Sequence, residues 1–351
     1  MTIEAEILFE ERGPLSLVTL NRPQALNALT HNMCLLLDDQ LKAHAGDTRI
    51  QAIVIKGAGE KAFCAGGDIR AIYNLGQSDV PATLKFYADE YRLNARIKHY
   101  AKPYIALMDG INMGGGVGVS MHGSIRVAGD RTLFAMPETG IGLFPDVGGS
   151  YFLPRCPGKL GMYLGLTGAR LKAADLLYAG IATAYVPSDK MAALLEALAS
   201  APRLDHDAVG RIIADFAKDP GPAPIKEHRE LIDRCFAGES VEAILAALTK
   251  EGSDFSLKTR DTLLAKSPTS LKITFRQLTL GGNKDFDDCM KMEYRMVNHI
   301  LKRGDFFEGV RALIIDKDQQ PKWNPADLAA VSAAEVDKYF AISASGDLEI
   351  Y

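Results

Sequence analysis

The sequence predicts an α/β core followed by a mostly helical C-terminal region. Three observations carry that prediction: apolar runs of strand length alternate with helical stretches over about the first 190 residues, glycine is dense in that part, and strand signals fade beyond it while helical spacing continues. The boundary is placed at residue 200, giving an α/β core over 1–200 and a helical region over 201–351 that packs on it.

Candidate strands are Leu15–Leu20, Ala52–Lys56, Tyr104–Met108, Ser124–Ala128 and Ile181–Val186, each rich in Val, Ile, Leu or Tyr and bounded by Gly, Asp, Asn or Pro. Between the first two, Thr30–Ala45 reads as a helix with Thr30 as its N-cap. A second helix runs from Pro81 to about His99 and stops before Lys102-Pro103. In the second half, Asp207–Ala217, Val241–Lys250, Pro268–Gly281, Phe286–Arg303 and Ala333–Phe340 have apolar spacing with charged outer faces. The stretch Asp219-Pro220-Gly221-Pro222-Ala223-Pro224 reads as a linker or surface loop. No internal repeat or low-complexity tract is evident.

Composition narrows the function. At 351 residues, with 47% hydrophobic and 24% charged residues, the chain can bury a large core. The net charge of −4, with no Lys/Arg run, speaks against nucleic acid as a partner. No apolar stretch approaches the ~20 residues of a membrane span. The start, MTIEAEILFEERG, is acidic and lacks the basic flank and apolar run of a secretory leader, so a cytosolic (cytoplasmic) location is expected. Cys34, Cys64, Cys156, Cys235 and Cys289 are scattered without a CxxC pair, which suggests neither a zinc site nor a disulfide framework. Cys64 reads as a small buried apolar residue.

Three segments carry the chemistry. In Tyr104–Gly149, a strand turns through Asp109-Gly110 into Gly114-Gly115-Gly116, with a helix expected from Val117 to about His122. Glycines at such a turn let backbone amides approach a ligand, and amides opening a helix suit a developing oxyanion. A tight, closely packed turn explains the triplet equally well. A second cluster, Phe63-Cys64-Ala65-Gly66-Gly67-Asp68, precedes a helix starting near Asp68-Ile69 and offers a second amide. Glu138 and Asp146 then stand eight residues apart among apolar residues, Gly and Pro. A carboxylate in apolar surroundings has a raised pKa and is a better base. Local capping by Glu138 and a self-bonded turn at Asp146 are the bland alternative, and spacing alone favours it slightly.

At these residues the sequence resembles the crotonase (enoyl-CoA hydratase/isomerase) superfamily, in FCAGGDI at Phe63–Ile69, GINMGGGVG at Gly110–Gly118, MPETGIGLFPDVGG at Met136–Gly149 and the opening Asn21–Leu29. Within it, the likeness runs to the 3-hydroxyisobutyryl-CoA hydrolase family of valine breakdown. SPTSLKIT at Ser267–Thr274, MEYR at Met292–Arg295 and DFFEGVRALIIDKDQQPKW at Asp305–Trp323 extend it over nearly the whole chain. The resemblance implies a spiral of ββα units rather than a doubly wound sheet. It implies oxyanion-hole amides at Gly67 and Gly115, a catalytic Glu138, an acid associated with hydrolysis at Asp146 and a substrate-contacting Glu90. The loops at Gln24–Leu29 and Ala65–Ile69 would flank the coenzyme A, which makes Leu26, Ala65, Asp68, Ile69 and Gly114 candidate substrate contacts.

The departure from the hydratase pattern is informative. Hydratases of the superfamily carry a second glutamate in GGGxE, and that position here is Gly118. Hydration of a double bond needs two carboxylates around one water, so the expected reaction is hydrolysis of a short branched 3-hydroxyacyl-CoA thioester. A hydratase or isomerase of the same fold is the alternative, and a non-catalytic acyl-CoA-binding protein a more distant one. No metal or redox cofactor is expected, since coenzyme A enters only as part of the substrate and leaves as product. A homo-oligomer is left open, because the enlarged C-terminal region could cover the superfamily's usual interface. His31, His99 and His122 read as helix-end residues, Trp323 as a buried anchor, Asp305 as structural, and Met290, Met292 and Met296 as core.

Overall fold

The computed structural model describes residues 5–343 and 346–350, so the first four residues of the acidic start lie outside it. The strands are β1 (Ile7–Arg12), β2 (Leu15–Leu20), β3 (Ala52–Gly57), β4 (Ala62–Cys64), β5 (Tyr104–Met108), β6 (Ile111–Met113), β7 (Ile125–Ala128), β8 (Leu133–Ala135) and β9 (Ala184–Tyr185). They form a six-stranded sheet of order β1-β2-β3-β5-β7-β9 and a three-stranded sheet of order β4-β6-β8. β1 and β2 make an antiparallel hairpin, and from β2 onward the large sheet is parallel.

The order of strands shows the repeat unit. Each of the pairs β3/β4, β5/β6 and β7/β8 sends its first strand to the large sheet and its second to the small one. Helices Ile69–Ser78 and Val80–Lys98 follow the first pair, and the turn Gly115–Gly118 follows the second. This is a spiral of ββα units, as expected. The inner strands β2, β3 and β5 of the large sheet are largely apolar because both their faces are covered, as is usual in parallel sheets. Leu17 stands opposite Val54, and Leu107 opposite Val127. All four join a buried cluster with Leu194, Leu198, Val209 and Ile213 from helices Met191–Ala199 and His206–Phe216.

Local signals fixed several boundaries. Thr30 is extended and its side chain accepts from the Met33 amide at 3.2 Å, which caps the helix His31–Gly46. Ser267 does the same for Pro268–Gly281, with Pro at the first helical position. The C-terminal helices Val241–Glu251, Phe286–Ile300 and Ala333–Lys338 also fall on the expected segments. β9 is shorter than expected, only Ala184–Tyr185.

The chain forms two compact units whose membership is interleaved. One comprises Met1–Asp68, Arg92–Phe134 and Leu171–Pro224; the other comprises Ile69–Tyr91, Ala135–Arg170 and Ile225–Tyr351. The sequence boundary at residue 200 differs from this division. Residues 201–224 belong with the sheet because Leu204, Val209 and Ile213 join its core. The segment 135–170 belongs with the C-terminal helices because it packs on them through glycines. A Cβ at Gly281 would meet backbone of Ser150, and one at Gly165 would stand 2.8 Å from the Leu278 side chain. The Asp219–Pro224 loop does sit at a junction, where the first unit's last segment ends.

Candidate active site

Glu138, Asp146 and Glu90 lie in the second unit, and all are buried, at 5%, 4% and 2% exposure. Glu138 opens a 3-10 turn, Glu138–Ile141, that ends on Gly142 at φ +73°. That turn is held by close backbone contact with the helix Gly304–Val310. A Cβ at Gly142 would stand against Asp305 O, with Phe306 N at 2.7 Å, and one at Gly309 would stand 2.5 Å from Ile141 C. The Thr139 hydroxyl donates to Leu166 O at 3.0 Å and the Ser267 amide to Thr139 O at 3.3 Å. The Glu138 backbone is therefore fixed from three sides, while its Oε2 is buried without a hydrogen-bond partner.

Glu90 comes from the helix Val80–Lys98, and its Oε1 is likewise buried and unpartnered. Tyr91, the next residue, donates its hydroxyl to Asp146 Oδ2 at 2.9 Å. Burial pushes the Glu138 and Glu90 carboxyls well above the usual range, and the Asp146 charge adds to both effects. Burial also raises Asp146, to about 7, against the opposing pull of the Tyr91 hydrogen bond. Three carboxyls whose burial disfavours their charged forms therefore bear on one another through the Asp146 charge. Lys266 is largely buried, which lowers its pKa, and the Glu138 carboxylate acts in the opposite direction. Among the described residues no group of three His, Cys, Asp or Glu is arranged to hold a metal ion.

Glu293, on the helix Phe286–Ile300, had no role in the sequence reading. It is completely buried and accepts from the Gly148 amide (2.9 Å), the Ser150 amide (2.9 Å) and the Ser150 hydroxyl (2.5 Å). The signal was an acid inside a buried apolar stripe: Cys289, Glu293, Met296 and Ile300 share one helix face.

The glycine clusters lie in the first unit. Gly114 adopts φ +47°, ψ −124° and Gly66 φ +121°, conformations that favour glycine. The two turns are adjacent: a Cβ at Gly66 would lie 3.5 Å from Met113 O and 3.9 Å from the Gly115 amide nitrogen. Among the described residues, neither the Gly67 nor the Gly115 amide donates to a backbone carbonyl, although Leu29, Asp68 and Val117 beside them do. The helix after the triplet is Gly115–Gly118, one turn, and not Val117–His122. So short a helix has little dipole, and any anion there would be bound by the amides themselves.

The neighbouring loop is built for rigidity. Leu26 and Asn27 both take positive φ, and the buried Asn27 amide donates to Ala58 O and Ala62 O at 2.9 Å each. The Ala65 amide donates to Leu26 O at 3.0 Å. The Asp68 carboxylate pairs with Arg22 at 2.9 Å, and Arg22 also donates to Ala28 O, which gives Arg22 a structural role. Ile69 opens the helix Ile69–Ser78. Cys64 and the other cysteines are buried. Asp305 accepts from the Ser267 hydroxyl and the Asn324 amide, a structural role. Trp323 is only half-buried, and it is held by donating to Ala265 O at 3.2 Å instead of by full burial.

The family model for enoyl-CoA hydratase/isomerase matches residues 15–340. The chain belongs to the enoyl-CoA hydratase/isomerase family. Among curated members, it is 49% identical to the mitochondrial 3-hydroxyisobutyryl-CoA hydrolase of Danio rerio, over 99% of this chain and 92% of that protein. It is 46% identical to the Homo sapiens protein of the same name, over 98% and 90%. Among solved structures, it is similar to a carnitinyl-CoA dehydratase from Mycobacterium thermoresistibile, with TM-score 0.92 and 41% identity, covering 98% of each chain. An enoyl-CoA hydratase from Rhodobacter sphaeroides 2.4.1 gives TM-score 0.89 and 36% identity, covering 99% and 100%. The family's fold therefore extends over the C-terminal helices as well.

The relatives also correct the expected location. The vertebrate hydrolases are named mitochondrial, which overturns the cytosolic expectation. That expectation rested on the lack of a secretory leader with its apolar run. Mitochondrial targeting uses a different signal, an Arg-rich and acid-poor amphipathic segment, so the lack of an apolar run does not bear on it.

Proposed function

We propose that this chain hydrolyses 3-hydroxyisobutyryl-CoA to 3-hydroxyisobutyrate and coenzyme A, a step of valine breakdown. The observation that carries this reading is a buried Glu138 with an unpartnered oxygen, beside Asp146, in a chain whose position 118 is glycine. The family's hydratase pattern needs a second acid at that position. The relatives named as hydrolases support the substrate assignment.

On this reading the thioester oxygen is taken by the amides of Gly67 and Gly115, an oxyanion hole in which one donor is typically worth ~2.7–4 kcal/mol of barrier. The step needs Glu138 ionised, a state that its burial and the nearby Asp146 charge both resist and that makes it a strong base or nucleophile. Glu138 then accepts a proton from water as water adds to the carbonyl carbon, or it attacks that carbon itself to form a mixed anhydride. In the first route the tetrahedral intermediate collapses, the C–S bond breaks, and the proton held by the carboxyls goes to sulfur. In the second, the thiol leaves first and water then cleaves the anhydride. Asp146 orients the water, and Glu90 bonds the substrate's 3-hydroxyl. Coenzyme A is part of substrate and product, and no metal or redox cofactor is needed.

Rates on 3-hydroxyisobutyryl-, 3-hydroxypropionyl-, crotonyl- and acetyl-CoA test the reading, with thiol release and double-bond hydration followed together. Thiol release fastest on 3-hydroxyisobutyryl-CoA is expected. Hydration of crotonyl-CoA without thiol release would replace this reading with the hydratase one. A single turnover in isotope-labelled water separates the routes, because label in Glu138 arises only through the anhydride.

A further inference from the structure

We propose that Glu293 is a positioning residue for the reaction: with Gln277 it clamps the loop on both sides of Asp146 and so fixes that carboxylate in place. The inference rests on the role given to Asp146 above. Gln277, from the helix Pro268–Gly281, donates its Nε2 to Pro145 O at 2.7 Å and to the Ser150 hydroxyl at 2.8 Å. Glu293 takes the amides of Gly148 and Ser150 and the same hydroxyl. Asp146 therefore sits between an anchor at the residue before it and anchors two and four residues after it. Glu293 and Gln277 are both completely buried, and Ser150 links them.

The loop needs such restraint. Val147, directly after Asp146, has φ +47°, a left-handed conformation that a β-branched residue disfavours, and Gly148 follows at φ +91°. Strain of this kind persists only where the surroundings over-determine the backbone. Three donors on one carboxylate do so here. Neither Glu293 oxygen needs a substrate group as partner, since Oε1 and Oε2 are both occupied by the loop. Its influence on the reaction runs through the position of Asp146, whose charge also bears on Glu138 and Glu90.

The test uses Glu293→Gln in the full chain, with kcat, KM, the pH dependence of kcat and thermal stability measured on 3-hydroxyisobutyryl-CoA. The amide keeps the shape but turns an acceptor into a donor facing N–H groups. The expected result is a fall in kcat of about tenfold to a hundredfold with KM within about twofold, as for a misplaced reacting group. The acid limb of the profile should move as well, which a loss of folded protein alone would not cause. Gln277→Leu removes the Pro145 anchor, leaves Glu293 in place, and should lower kcat in the same sense by a smaller factor. If Glu293→Gln does not fold, Gln277→Leu decides. Unchanged kcat and an unmoved limb in the folded variants would overturn the inference. Asp146→Asn serves as the reference. If it keeps the wild-type rate, the role assigned to Asp146 falls; if it is inactive while the clamp variants are normal, only the clamp falls.

Discussion

The Tyr91 hydroxyl donates to Asp146 Oδ2 at 2.9 Å, and neither residue is more than 4% exposed. A donor of this kind favours the ionised carboxylate, and here it opposes the burial that raises Asp146 to about 7. Tyr91→Phe leaves the ring packing and removes the donor. A hydrogen bond to a charged group is worth about 1.5–3 kcal/mol, which corresponds to about one to two pKa units. The acid limb of kcat should therefore move to higher pH by about that amount, while the alkaline rate changes little. A pH–rate profile of the variant that overlays the wild type would remove Asp146 as the ionising group.

Stability should fall as pH rises through neutrality. Asp146 is raised from 3.8 to about 7 and Glu293 from 4.5 to about 8, burial being the main cause for each. A carboxyl whose folded pKa lies above its unfolded value binds its proton more tightly when folded. Its stabilising contribution is complete below the unfolded value and is lost as pH climbs through the folded one. Thermal melts from pH 5 to pH 9 should show a Tm that declines across the window set by these two groups. Asp146→Asn should flatten the decline, and an equally steep slope in that variant would assign it to other groups.

The sequence revealed the repeating strand–helix architecture wherever a local rule was strong. The Thr30 cap, the proline opening Pro268–Gly281 and the Ile/Val run of β3 all sit where local chemistry puts them. β4, β6 and β8 were missed because three residues are too few to show a period, and their pairing is set by distant neighbours. Glu138 and Asp146 were singled out through motif resemblance; spacing alone left them ambiguous. Their surroundings were not legible, because Tyr91, Gln277 and Glu293 reach Asp146 or its loop across 55, 132 and 145 residues of sequence respectively. Arg22, inside the Asn21–Leu29 stretch, is likewise committed by partners that its motif does not reveal, Asp68 and Ala28 O.

Glu138→Gln should separate catalysis from folding. Removal of a general base or nucleophile costs about 10²–10⁴ in rate. The amide is neutral, so the burial that disfavours the Glu138 charge no longer matters, and the helix Gly304–Val310 still locks the backbone turn. The expected outcome is loss of thiol release with Tm equal to or above wild type at pH 8. A near-normal rate would exclude Glu138 from the chemistry.

The glycine turn in the first unit gives a steric prediction that needs no assumption about ionisation. A Cβ at Gly116 would stand against Cys64 O, 2.8 Å from Cys64 Cβ and 2.9 Å from the Asn112 side chain. Cys64 and Asn112 are both fully buried, so neither can move aside cheaply. Gly116→Ala must therefore shift the turn that aims the Gly115 amide, at a cost of about 1–3 kcal/mol in stability. On the proposed function the rate should suffer more than that figure implies, because the Gly115 amide would then be an oxyanion donor, whose effect is sensitive to sub-ångström displacement. Gly304→Ala is the matched control, since nothing lies within 4 Å of its would-be Cβ. Wild-type kcat in Gly116→Ala, with the expected drop in Tm, would show that the turn serves packing alone.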